Sequence, residues 1–171
     1  MKTLILYSSQ DGQTKKIAHF IAEQLGDCAV HSISEESAVD FAQFDRIVIG
    51  ASIRYGHFNQ TLYKTIKKQT ALLNSKPSAF FGVNLTARKE GKNSPETNVY
   101  VRKFLQRIQW RPTTAAVFAG ALFYPRYNWF DRIMIQFIMK LTGGETDPTK
   151  EIEYTDWEKV KQFSEKLAQL N

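Results

Sequence analysis

Five short apolar runs punctuate the chain, with polar turns and helically spaced segments between them. This alternation restricts the fold more than any other feature. The runs are Thr3 to Tyr7, Cys28 to Ile33, Arg46 to Ala51, Ser78 to Val83 and Ala115 to Leu122. Strands alternating with helices predict an α/β protein, a parallel sheet with helices packed on both faces. The helices are signalled independently. Ile17, Phe20, Ile21 and Leu25 recur at helical spacing, and Asn59 is placed to cap a second helix carrying Leu62, Ile66 and Leu73. Ser94-Pro95 predicts an N-cap and a first-turn proline ahead of Val101, Phe104, Leu105 and Ile108. Thr155-Asp156-Trp157-Glu158 predicts a capping box ahead of Val160, Phe163 and Leu167. The pattern is weakest near Val39 to Phe44, between the second and third runs.

A chain of 171 residues without a Pro/Gly/Ser-rich linker or an internal repeat reads as a single domain, 1–171. Cys28 is the sole cysteine, so no intrachain disulfide can form, and no spacing suits a metal site. Met1-Lys2 leads straight into the first run, which predicts a cytoplasmic protein. No window approaches the roughly 18 consecutive apolar residues of a spanning helix, so any membrane contact is expected at the surface. The net charge of +6 favours an anionic partner, but scattered Lys and Arg without an RNA-binding signature argue against nucleic acid.

Ligands of open α/β sheets bind beyond the carboxyl ends of the strands. Four loops therefore matter: Ser8 to Thr14, Ser52 to Phe58, Asn84 to Asn93, and Phe123 to Tyr154. The first lacks GxxxxGK[ST] and GxGxxG, which removes support for triphosphate and dinucleotide binding. It does place Ser8, Ser9, Gly12 and Thr14 at a strand-to-helix turn, where free N–H groups favour a phosphate. Taken alone, it serves equally well as an ordinary turn with a good N-cap.

The stretch Ser9-Gln10-Asp11-Gly12-Gln13-Thr14 resembles the S/T-x-T-G-x-T phosphate loop of the flavodoxin family at Ser9, Gly12 and Thr14. It departs at Asp11, whose carboxylate would repel a phosphate and is expected to turn away while its N–H faces the ligand. A closer resemblance runs over the whole chain. "GASIRYGH", "VNLTARK", "QWRP", "GALFYPRYNWFDR", "GGETD" and "YTDWE", in that order, are similar to the menaquinone-dependent protoporphyrinogen IX dehydrogenase family of bacterial haem biosynthesis. The resemblance implies a flavodoxin-like doubly wound sheet of order 2-1-3-4-5 with an insertion after the fifth strand. It implies FMN as cofactor, protoporphyrinogen IX as substrate and menaquinone or a related quinone as acceptor. It also implies a peripheral position on the cytoplasmic side of the inner membrane. The phosphate would lie on Ser9, Gln10, Asp11, Gly12, Gln13 and Thr14. The isoalloxazine would lie between Ser52, Ile53, Arg54, Tyr55 and Gly56 on one side and Asn84, Leu85, Thr86, Ala87 and Arg88 on the other, with Tyr55 placed to stack. Asn84 to Ala87 holds no aromatic, which leaves that face of the ring without an assigned partner.

No nucleophile or acid–base constellation is present, and a flavin needs none, because its N5 accepts the hydride. Arg54, Arg88 and Arg126 fall in candidate loops and suit the substrate's propionates, the alternative being solvated surface charges. His57 is either a proton relay or a structural histidine. In Asn128 to Leu141, "NWFDRIMIQFIMKL", Asp131, Arg132, Gln136 and Lys140 form a narrow polar stripe beside an apolar arc too broad for one docked face. Part of it can cover the sheet, and the remainder suits a membrane surface. Two other functions share the implied fold: a soluble flavodoxin electron carrier, which the basic charge disfavours, and an NAD(P)H:quinone oxidoreductase.

Overall fold

The computed structural model describes residues 1–171. Strands β1 (Thr3–Ser8), β2 (Cys28–Ser32), β3 (Arg46–Ser52), β4 (Ser78–Asn84) and β5 (Thr114–Ala119) form one sheet. Its order is β2-β1-β3-β4-β5 and every pairing is parallel. The alternation of runs and helices predicts the parallel sheet, and the resemblance to flavodoxins implies this doubly wound order. The three central strands, β1, β3 and β4, are buried on both faces, so they read as continuous apolar runs rather than alternating ones, while edge strand β2 is only partly buried.

The two faces hold separate cores. Leu4, Leu6, Ile47, Ile49 and Phe80 pack against helices α2 (Gln60–Ser75) and α3 (Val99–Arg107) through Leu62, Ile66, Val101 and Phe104. Ile5, Val48, Ala79 and Phe81 pack on the opposite face against α1 (Gln13–Leu25) and α5 (Trp157–Ala168) through Ile17, Ile21, Val160 and Phe163. Gly50 is required there, because a Cβ on it would fall 2.0 Å from the Phe81 ring. Trp110 of the "QWRP" stretch is fully buried and donates from its indole N–H to the Ser78 hydroxyl at 2.9 Å, pinning the start of β4.

The expected fifth run divides at Gly120. β5 stops at Ala119, and β6 (Ala121–Phe123) leaves the main sheet to pair antiparallel with β7 (Glu151–Glu153). At the break the Gly120 N–H donates to the Asn84 carbonyl and the Gly120 carbonyl accepts from the Tyr154 N–H, so the backbone switches sheets without losing bonds. Helix α4 (Trp129–Leu141) lies between β6 and β7 in sequence and has its own small core of Leu122, Tyr124, Ile135 and Met139. The insertion after the fifth strand is thus a satellite of the sheet.

Three local expectations change. The N-cap of α3 is Asn98 and not Ser94, whose hydroxyl instead forms a turn with Thr97 at 2.7 Å. The N-cap of α5 is Asp156 rather than Thr155, because the Thr155 hydroxyl donates to the Ala119 carbonyl at 2.7 Å. Between β2 and β3 the chain forms two 3-10 turns, Ile33–Ala38 and Phe41–Gln43, in place of an α-helix. Asn59 caps α2 as expected, accepting from the Thr61 N–H.

Candidate functional site

Beyond the carboxyl ends of β1, β3 and β4 lies a cavity of about 410 Å³. Its wall includes Ser9, Gln10, Asp11, Gln13 and Thr14 from the first loop, and Ser52 to Gly56 from the second. Asn84, Leu85, Thr86 and Arg88 come from the third. The volume falls in the range of a single drug-sized ligand.

The first loop is built around an αL residue. Gly12 has φ 94°, which lets the chain turn sharply from β1 into α1, and its N–H donates to the Ser9 hydroxyl at 3.0 Å. No side chain caps α1 and its first turn holds no acidic residue, and the nearby Glu153 carboxylate is taken up by the side chains of Gln13 at 3.1 Å and Lys16 at 2.7 Å, leaving the first-turn N–H groups uncapped. Thr14 is 1% exposed, and its Oγ1 is the one buried side-chain polar atom without a hydrogen-bond partner. A buried hydroxyl left unpaired is costly unless a ligand accepts from it. The Asp11 carboxylate turns aside, as expected, and pairs with the Arg54 guanidinium.

The second loop is a tight hairpin. Arg54 and His57 exchange both backbone hydrogen bonds at 3.0 Å, and Tyr55 and Gly56 between them have φ 52° and 79°. Positive φ at both central residues is the signature of a type I′ turn, and Tyr55 is the only non-glycine residue in the chain with it. The Tyr55 hydroxyl donates to Asp131 of α4, as does Arg54 at 3.3 Å. Burial, reinforced by the hydrogen bond and charge of Asp131, pushes the Tyr55 phenol up to about 12. Burial acts to depress the Arg54 guanidinium, but its bonds to Asp11 and the Asp131 charge outweigh this and raise it.

The third loop is fixed by a buried amide pair. Asn84 and Asn98 each donate to the other's carbonyl oxygen at 3.1 Å, while the Asn84 oxygen also accepts from the Ala87 N–H. Arg88 donates to the Leu85 carbonyl at 2.8 Å and to the Thr142 hydroxyl at 3.0 Å. It lines the cavity and has no carboxylate partner.

Several expectations are redistributed. Gly12 and Ala87 shape their loops from outside the cavity wall. Arg126 also lies outside it, paired with Glu151 at 3.2 Å. His57 is exposed and away from the wall. Sequence reading missed Tyr100, Tyr127, Met134, Ile135, Ile138, Met139 and Thr142, which line the wall from α3, the segment after β6, and α4 with its C-cap, as well as Val83, Gly120 and Ala121 at the strand ends. Aromatic and sulfur-bearing side chains therefore reach the cavity from elements other than Asn84 to Ala87. The breadth of the apolar arc on α4 was the available signal. Ile135 and Met139 pack into the satellite core and also line the cavity, Met134 and Ile138 line it beside them, and Trp129, Phe130, Phe137 and Leu141 face outward.

Fold and site together define a flavodoxin-type protein, with an uncapped helix start after β1 and two further loops at the strand ends around one cavity. The flavodoxin domain family matches residues 4–149, which implies a flavin cofactor. Flavodoxin 1 from Bacillus cereus is similar in structure with TM-score 0.58 and 18% identity, covering 99% of this chain and 98% of that one. An archaeal flavodoxin gives TM-score 0.56 and 16% identity over 99% and 97%. Among curated proteins, protoporphyrinogen IX dehydrogenase [quinone] from Escherichia coli K12 is 52% identical over 99% of this chain and 96% of its own. That from Leishmania major is 53% identical over 99% and 75%. The chain belongs to the protoporphyrinogen IX dehydrogenase [quinone] family of flavodoxin-domain proteins.

Proposed function

We propose that the protein uses FMN to oxidise protoporphyrinogen IX to protoporphyrin IX and passes the electrons to a respiratory quinone. The relationship to the Escherichia coli enzyme over nearly the full length of both chains carries this reading. The unpaired Thr14 hydroxyl at an uncapped helix start supports a monophosphate there, hence FMN. Bound flavin supplies two-electron hydride acceptance, so removal of six hydrogens takes three cycles, each reducing one quinone to its quinol.

The protein's own residues bind and orient. Thr14 donates to the phosphate, and the loops of Ser52 to Gly56 and Asn84 to Arg88 hold the ring. Arg88 is the better propionate anchor of the three candidate arginines, because Arg54 and Arg126 are already paired with carboxylates. No helix is long and apolar enough to cross a membrane. The outward face of α4 instead suits a bilayer surface, with Trp129 69%, Phe130 59%, Phe137 58% and Leu141 71% exposed. Exposed Lys140, which has no carboxylate partner, adds attraction for anionic headgroups. Ile138 is 37% exposed and also lines the cavity, so a lipid-soluble quinone arriving along this face meets the cleft at its apolar rim.

Anaerobic mixing of FMN-loaded protein with protoporphyrinogen IX and a menaquinone analogue tests the reading. Porphyrin fluorescence should rise only when quinone is present. Rapid flavin reduction by NADPH, without porphyrin formation, would overturn it in favour of an NAD(P)H:quinone oxidoreductase.

A further inference from the structure

We propose that Asp131 of α4 is a positioning residue of the cofactor site, holding Tyr55 and Arg54 in the orientation that receives the flavin. The proposal rests on the reading that the cleft takes FMN. Asp131 stands outside the cavity wall, whereas Tyr55, Arg54 and Asp11 are part of it. Its two carboxylate oxygens serve different partners: Oδ1 accepts from the Tyr55 hydroxyl and Oδ2 from Arg54 Nη1. Arg54 in turn reaches Asp11 through Nη2, so one connected set of charges joins the phosphate loop, the hairpin and α4.

Tyr55 needs such a restraint. It sits at the tip of a two-residue turn with φ 52°, a conformation that a bulky residue adopts only when its surroundings impose it. Nothing else fixes its hydroxyl, and the residue is 38% exposed. Asp131 is itself held in place, because its N–H donates to the Asn128 cap at 2.8 Å in the first turn of α4. The carboxylate therefore converts the docking of α4 on its satellite core into a fixed direction for the Tyr55 ring. It follows that the insertion completes the flavin site, in addition to any part it plays at a membrane.

The test titrates the full-length apoprotein with FMN and records affinity together with the visible circular dichroism of the bound flavin. Asp131→Ala should weaken binding about tenfold, the scale of one charge-assisted hydrogen bond, and should change the flavin dichroism. Asp131→Asn keeps an acceptor for Tyr55 and should restore the dichroism while recovering only part of the affinity. Tyr55→Phe leaves the ring but removes the hydroxyl, so its dichroism should resemble that of Asp131→Ala, and the two changes combined should be less than additive. Should Asp131→Ala not fold, Tyr55→Phe and Asp131→Asn carry the same comparison. Wild-type affinity and dichroism in Asp131→Ala, or unchanged dichroism in Tyr55→Phe, would overturn the proposal alone. Failure of the wild-type protein to bind FMN would overturn both this proposal and the cofactor reading beneath it.

Discussion

At the α1 end of the cleft, where the proposed phosphate would lie, a buried hydroxyl on Thr14 has no partner, whereas at the α4 end Arg54, Tyr55 and Asp131 are already bonded to one another. The first end is incomplete without a ligand; the second is organised in advance. On the proposed FMN reading, the contrast matches what each end would recognise. A phosphate is compact and brings its own charge, so free N–H groups and one hydroxyl suffice. A large planar ring brings little charge, and its orientation depends on side chains that are held by other side chains.

The largest expected effect separates the outer face of α4 from both ends. Replacing Trp129 and Phe130 together by serine removes two anchors worth about 1.5 to 3 kcal/mol each if they are buried in a bilayer interface. Co-sedimentation with anionic liposomes should fall on the order of a hundredfold or more and, in the wild type, should weaken as salt rises. FMN affinity and turnover with a water-soluble quinone should persist, while turnover with membrane-embedded menaquinone should be lost. Equal liposome binding by variant and wild type would sink the membrane assignment. Loss of flavin along with lipid binding would erase the distinction between the outer and inner faces of the helix.

Thr14→Val sharpens the comparison at the phosphate end, because its two consequences have opposite signs. FMN binding should weaken by about 1 to 3 kcal/mol through one lost hydrogen bond. The apoprotein should be as stable as the wild type, or more so by up to about 1 kcal/mol, since an unsatisfied buried hydroxyl is removed. Isothermal titration and thermal melting of the apoprotein measure the two. A destabilised apoprotein would mean that Thr14 already has a partner in solution.

Arg88→Gln addresses the cavity arginine that has no carboxylate partner. It should raise KM for protoporphyrinogen IX by about tenfold through a lost ion pair, with little change in KM for quinone. Steady-state kinetics with each substrate varied in turn would read this, and an unchanged porphyrinogen KM would remove Arg88 as the anchor.

The smallest effects concern pH. Tyr55 is pushed up to about 12, so its contribution to stability is whole below its ordinary value near 10 and fades as pH rises through about 12. At the phosphate end, Glu153 is held low: burial acts to raise it, and its bonds with Lys16, Trp157 and Gln13 prevail. Its contribution is present above the ordinary carboxylate value, about 4.3, and is lost as pH falls through the lower folded value. Melting temperature against pH should therefore decline at the two extremes through different residues. Glu153→Gln should flatten only the acid limb and Tyr55→Phe only the alkaline one.

How far the sequence reaches differs along the cleft. The segment Ser9 to Thr14 is legible because its geometry is local: a strand end, an αL glycine and a helix start lie within a few residues. Asn59 as a cap is legible for the same reason. Ser94 misleads because its hydroxyl closes a local turn with Thr97 and leaves the cap to Asn98, and Thr155 because it has a better distant partner. Asn98 caps α3 while paired with Asn84, and Thr155 serves the Ala119 carbonyl across the sheet edge. Arg54, Arg88 and Arg126 look equivalent in sequence and differ only through partners 43, 54 and 25 residues away, Asp11, Thr142 and Glu151.

The alternation of runs by itself determines the parallel sheet, its helices on both faces and the position of the loop between β1 and α1, because periodicity and turn chemistry act over a few residues. Only the tertiary structure decides that the fifth run divides at Gly120, that α4 divides its apolar arc among core, cavity and surface, and that Asp131 meets Tyr55 across 76 residues of chain. Those outcomes depend on which elements come to lie side by side, and the free energy of such contacts belongs to pairs that no local pattern joins.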